Sequence, residues 1–154
     1  MRRVVIGVGN AYRGDDAVGL AVAERVRGRV PESVAVLECE QEPTRLLDAW
    51  SGADVAVVVD ACAAGAPPGT VHRFDASEAS LPARTFRSST HAFGVGDAVE
   101  LSRVLDRLPG RVIVYGVEGA GFEAGAPLSA PVLSAVDRVA RAIVQDLDAE
   151  TGDA

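Results

Sequence analysis

Apolar positions along the chain come in two kinds of block, short continuous runs and longer stretches of helical spacing. Arg3 to Val8 is a β-branched run and predicts a buried strand. Val18, Val22 and Val26 follow at spacing four, with Leu20 and Ala21 beside them. That spacing predicts a helix starting at Asp15 or Asp16 and ending at Gly28 and Pro31. Val34 to Glu38 predicts a second strand, and Pro43 suits the first turn of a short helix with Leu46, Leu47 and Trp50 on its apolar side. Val55 to Val59 is apolar throughout, the pattern of a strand covered on both faces. Thr70 to Phe74 predicts a strand reached without a crossover helix, hence antiparallel at an edge. Asp75 to Thr90 is long, polar and irregular, a kind of segment that often carries function. Gly96 to Leu108 predicts a helix with Val99, Leu101, Val104, Leu105 and Leu108 inward, and Arg111 to Val117 a further buried strand. Glu118 to Leu128 is expected to be a glycine-rich loop. Ser129 is placed as the cap of a last helix with Val132, Leu133, Val136, Val139, Ala140, Ile143 and Leu147 facing the core, frayed after about Asp148.

The order β-α-β-α-β-β-α-β-α predicts an α/β fold, a three-layer sandwich with a twisted, mostly parallel sheet and one antiparallel strand in its edge region. Residues 1–154 are expected to form a single domain, without repeats or linkers. With the first strand central, the second lies on one side and the third on the other. Ligands of such sheets bind at the carboxyl ends of the strands, where the connections change direction.

Composition narrows the partners. A net charge of −7 without a basic stripe argues against nucleic acid. No apolar run reaches the length of a membrane span, and Arg2-Arg3 is followed by a glycine-broken strand, not by the apolar core of a signal peptide. Two cysteines, Cys39 and Cys62, are too few for a disulfide framework, so a reducing cytoplasm is the expected compartment.

The candidate chemistry gathers at the first turn. Gly7-Val8-Gly9 between a strand and a helix invites a dinucleotide reading, but the third glycine of that fingerprint would fall at Tyr12. A pyrophosphate also needs the helix N-terminus, where Asp15 and Asp16 repel phosphate and attract a cation. One aspartate suffices for capping, which leaves Asp16 to face the sheet edge. The glycines are expected to let a substrate chain approach the backbone. Asp60 emerges at the end of the strongest strand; a turn aspartate bonding its own backbone is the plainer alternative, and its place beside the first turn favours a site. His91 closes the long polar loop in Ser88-Ser89-Thr90-His91, whereas His72 is placed as a surface side chain of the edge strand. Two carboxylates and an imidazole make an O/O/N set for a divalent metal with open positions. Cys62 could be a nucleophile or a soft ligand, and a small buried residue is the favoured reading, as for Cys39. No G-x-S-x-G elbow supports a serine hydrolase.

These residues resemble the hydrogenase maturation endopeptidases, which process the large subunit of nickel–iron hydrogenases. The resemblance rests on Gly7-Val8-Gly9-Asn10 with Asp15-Asp16 and Gly19, Val58-Val59-Asp60-Ala61, Ser89-Thr90-His91, and Tyr115-Gly116-Val117-Glu118. It implies a five-stranded sheet and an endopeptidase that removes a C-terminal extension from the large-subunit precursor after nickel insertion. It further implies that Asp16, Asp60 and His91 contact nickel carried by that precursor, and that no organic cofactor is needed. Other members carry Glu at the first of these positions, and Asp16 keeps the chemistry with a shorter reach. Many relatives have a Gly-Gly-Thr-like turn after the second strand, where this chain reads Glu38-Cys39-Glu40-Gln41-Glu42-Pro43-Thr44. The alternatives are a non-catalytic, nickel-dependent checkpoint that binds the precursor, and a nucleotide-binding Rossmann-like enzyme. The oligomeric state, a monomer included, stays open at this stage.

Overall fold

The computed structural model describes residues 1–40, 42–81 and 94–152. Five strands form one sheet: β1 (Arg3–Val8), β2 (Val34–Cys39), β3 (Val55–Cys62), β4 (Val71–Asp75) and β5 (Arg111–Glu118). Four helices flank it: α1 (Val18–Arg27), α2 (Pro43–Trp50), α3 (Val95–Val104) and α4 (Ala130–Gly152). The strand order is β2-β1-β3-β5-β4, with β4 alone antiparallel, against β5. The placement of β1 between β2 and β3 and the antiparallel edge strand agree with the sequence pattern.

Period-two alternation divides the core between two layers. Val57, Val59, Ile113 and Val117 pack with α1 and α4 through Val18, Val22, Val136, Val139 and Ile143. On the opposite face Val4, Ile6, Val58 and Val114 pack with α2 and α3 through Leu46, Trp50, Val95 and Val99. All eight residues of β3 are buried, and a fully buried valine contributes about 1.5–3 kcal/mol relative to exposure. The Trp50 indole N–H donates to Ser102 Oγ at 3.0 Å, a buried bond that joins α2 to α3. On the α4 side, Asp146 accepts from the Tyr115 hydroxyl and from Arg73, tying the edge strand β4 to the last helix.

Several expectations need correction. β3 continues three residues past Val59 because Ala61 and Cys62 keep pairing with Val117 and Glu118 of β5. Asp60 therefore sits inside the strand, and Glu118 ends β5 instead of opening a loop. α3 stops at Val104, with Asp106 in the left-handed region (φ 56°) just beyond. Its buried residues are Val95, Ala98, Val99 and Ser102. Leu101, Val104 and Leu105, placed inward by spacing, lie on the exposed side, as does Leu133 of α4. In α4 the core position beside Val136 belongs to Ala135, whose small side chain allows close packing on α1.

Candidate functional site

The carboxyl end of β1 leads into the first turn. A single 3-10 turn, Gly14–Ala17, precedes α1 and holds both aspartates. It sits directly on the strand ends because two glycines leave room for it. A Cβ on Gly9 would lie 2.0 Å from the Asp16 carbonyl oxygen, and one on Gly19 would lie 2.3 Å from Val8 O and 2.5 Å from Val59 O. The space at these glycines is thus taken up by the chain's own backbone. The missing Cβ at Gly9 and Gly19 is thus accounted for by close packing of the turn on the strand ends. The carboxylates of Asp15 and Asp16, both buried at this turn, stand where a phosphate would need positive charge.

Asp15 is 1% exposed and does not cap its own helix. Its carboxylate reaches across to the segment after β5. It accepts from Ala120 N at 2.7 Å, Gly121 N at 3.2 Å, Ser129 N at 2.7 Å and Ser129 Oγ at 2.8 Å. Asp15 N in turn donates to Gly121 O at 2.9 Å. Burial pushes the Asp15 carboxyl up, but the hydrogen bonds from Ser129, Ala120 and Gly121 outweigh it, and its pKa falls below the usual value. Ser129, expected as a helix cap, spends its hydroxyl proton on Asp15.

Asp16 is buried at the same edge, its backbone carbonyl accepting from Asn10 N at 3.3 Å. Asp60 is buried on the neighbouring strand, and its Oδ1 accepts the N–H of Ala61 at 2.8 Å. The local bond expected of a turn aspartate is therefore present, made inside a strand. Asp60 pairs with Gly116 of β5, which places no side chain directly opposite it. Its charge is felt by both cysteines. Burial, then Asp60, raises the Cys39 thiol to about 11 against the opposing pull of Arg45. Burial, then Glu118 and Asp60, raises Cys62 to about 12. Neither thiol is ionised near neutrality, which removes the nucleophile reading of Cys62.

The fold thus brings Asp16 and Asp60 to the ends of adjacent strands β1 and β3. Two hard oxygen donors there suit a cation and no phosphate. His91, with Ser88, Ser89 and Thr90, lies outside the described residues. The pattern misplaced His72, which is half-buried with Nε2 3.2 Å from Glu118 Oε1. Glu118, which closes the Tyr115-Gly116-Val117-Glu118 motif and was given no role of its own, is 2% exposed.

Residues 20–146 match the family model described as hydrogenase maturation protease. The chain belongs to the hydrogenase maturation protease family. It thereby falls among the peptide-bond hydrolases. The matched span contains Asp60 and His91 and begins just after Asp16. Relatives agree with the assignment. The hydrogenase 2 maturation protease of Escherichia coli is 29% identical over 121 residues, covering 76% of this chain and 73% of that protein. The hydrogenase expression/formation protein HupD of Thiocapsa roseopersicina is 28% identical over 117 residues, covering 75% of this chain, but the match spans only 53% of that protein's length. Among solved structures, the hydrogenase maturating endopeptidase HybD from E. coli shares the fold, with TM-score 0.84, 24% identity, and coverage of 97% of this chain and 94% of that one. The [NiFe] hydrogenase maturation protease HycI from Thermococcus kodakarensis KOD1 superposes with TM-score 0.74 at 26% identity, over 96% and 93% of the two chains.

Proposed function

We propose that this protein is the endopeptidase that removes the C-terminal extension of a nickel–iron hydrogenase large-subunit precursor after nickel has been inserted. The observation that carries the reading is the pair of buried carboxylates, Asp16 and Asp60, at the carboxyl ends of β1 and β3 in a member of this family. In this reading the nickel arrives as part of the substrate. Asp16, Asp60 and His91 complete its open coordination and so seat the scissile peptide beside the sheet edge. The metal, as Lewis acid, polarises the peptide carbonyl or lowers the pKa of a bound water. High thiol pKa values and the absence of a serine elbow support a mechanism without a covalent protein nucleophile. No organic cofactor takes part. No helix among the described residues is long and apolar enough to cross a membrane, and a reducing cytoplasm suits the two free thiols.

The test is incubation with nickel-loaded precursor, followed by mass. The protein should shorten the precursor at its C-terminus, and Asp16→Ala, Asp60→Ala and His91→Ala should each abolish shortening while circular dichroism stays unchanged. Full processing by all three variants would refute the site. An intact nickel-dependent complex with no loss of mass would identify a checkpoint binder instead.

A further inference from the structure

We propose that Cys62, His72 and Glu118 form a binding site for a zinc-class divalent cation, separate from the Asp16 and Asp60 edge. Three strands supply the donors: Cys62 ends β3, Glu118 ends β5 directly opposite it in register, and His72 lies in β4. One ligand atom from each lies within 4.8 Å of both others. An ion with bonds of about 2.0–2.3 Å in tetrahedral geometry needs ligand–ligand edges of about 3.3–3.8 Å. The His72–Glu118 edge is already 3.2 Å, so the set closes on an ion through a small inward movement of side chains.

The surroundings favour a cation here. Glu118 is 2% exposed, and its only ion-pair partner among the described residues is His72. A buried carboxylate without a Lys or Arg is costly, and metal coordination is one of the two usual remedies. Second contacts hold the ligands in place. Ala64 N donates to Glu118 Oε1 at 2.8 Å, and the His72 ring stacks on Phe74 with centroids 6.2 Å apart and planes at 14°. Thiolate, imidazole and carboxylate together select zinc over calcium or magnesium, and three protein ligands leave a fourth position for water. On binding, the Cys62 S–H bond breaks, its proton leaves to solvent, and the sulfur electron pair forms the S–metal bond. The ion would fasten the antiparallel edge strand to the centre of the sheet.

Cobalt(II) is the probe. Titrated into the purified protein, it should saturate at one equivalent with a thiolate-to-cobalt charge-transfer band, and zinc should displace it. The band should vanish in Cys62→Ser and persist in Cys39→Ser and in Asp16→Asn. His72→Ala should weaken cobalt binding at least about tenfold, as loss of even an outer-shell partner does elsewhere. Absence of a charge-transfer band at saturating cobalt would overturn the proposal, as would a band that survives Cys62→Ser or follows Cys39. If Cys62→Ser fails to fold, His72→Ala on the edge strand decides: unchanged cobalt affinity there overturns the site.

Discussion

Four donors from one distant segment converge on the carboxylate of Asp15, while the next residue, Asp16, turns to the sheet edge. An amide at position 15 would present N–H groups to donors that need an acceptor. Asp15→Asn should therefore cost at least about 3 kcal/mol, since a hydrogen bond to a charged group is worth about 1.5–3 kcal/mol. Differential scanning calorimetry should show the melting temperature falling by about 6–12 °C for a chain of this size. The pH dependence has a definite sign. The folded pKa of Asp15 lies below its unfolded value of about 3.9, so its stabilisation is complete above that value and is lost as pH falls through the folded pKa. Acid denaturation of Asp15→Asn should be correspondingly shallower than that of the parent. At the two cysteines the expectation is inertness. With the thiols held at about 11 and about 12, iodoacetamide at neutral pH should label folded protein far more slowly than free cysteine, as mass spectrometry would show.

Elements were legible where pattern and burial coincide. β1, β2 and β3 begin where their β-branched runs begin, and Pro43 opens α2 as its fixed φ suits. Periodicity failed on α3, because it counts apolar residues without knowing how wide the facing surface is. α2 is only eight residues long and covers a narrow strip, and Leu101, Val104 and Leu105 stay partly or largely exposed. The residue that joins the two helices is polar, Ser102, and no hydrophobic template would choose it. Ser102→Ala leaves the indole N–H of Trp50 buried without its acceptor, at a cost of about 1–3 kcal/mol, readable as a lowered urea midpoint. Val104→Ser should leave that midpoint nearly unchanged, because this side chain is 82% exposed.

On the scale of the molecule, the sheet places chemistry at one edge by simple geometry. Parallel strands end together, so Asp16, in the turn after β1, and Asp60, near the end of the adjacent β3, lie toward the same edge of the sheet although 44 positions apart in sequence. That placement was readable from strand order and from an acidic residue directly after the apolar run of β3. The Cys62–His72–Glu118 cluster was not, because it depends on the register of an antiparallel strand. Shifting β4 by one residue would turn His72 to the opposite face. Asp16 and Asp60 belong to the proposed reaction, and the edge strand, pinned by Asp146 on one face and by Glu118 on the other, belongs to the integrity of the sheet.

The bonds from Asp15 also set a schedule. They join the first turn to Ala120, Gly121 and Ser129, more than a hundred residues later in the chain. Contacts of such separation form late, after loop closure has been met by the intervening strands. During synthesis, β1 to β3 can leave the ribosome with both edge carboxylates present while the Asp15 carboxylate still lacks its donors. The turn that carries Asp16 would then settle only when the last helix docks. A nascent or C-terminally truncated chain would hold both carboxylates yet lack the bonds that fix the turn beside them, so this edge of the sheet is completed last.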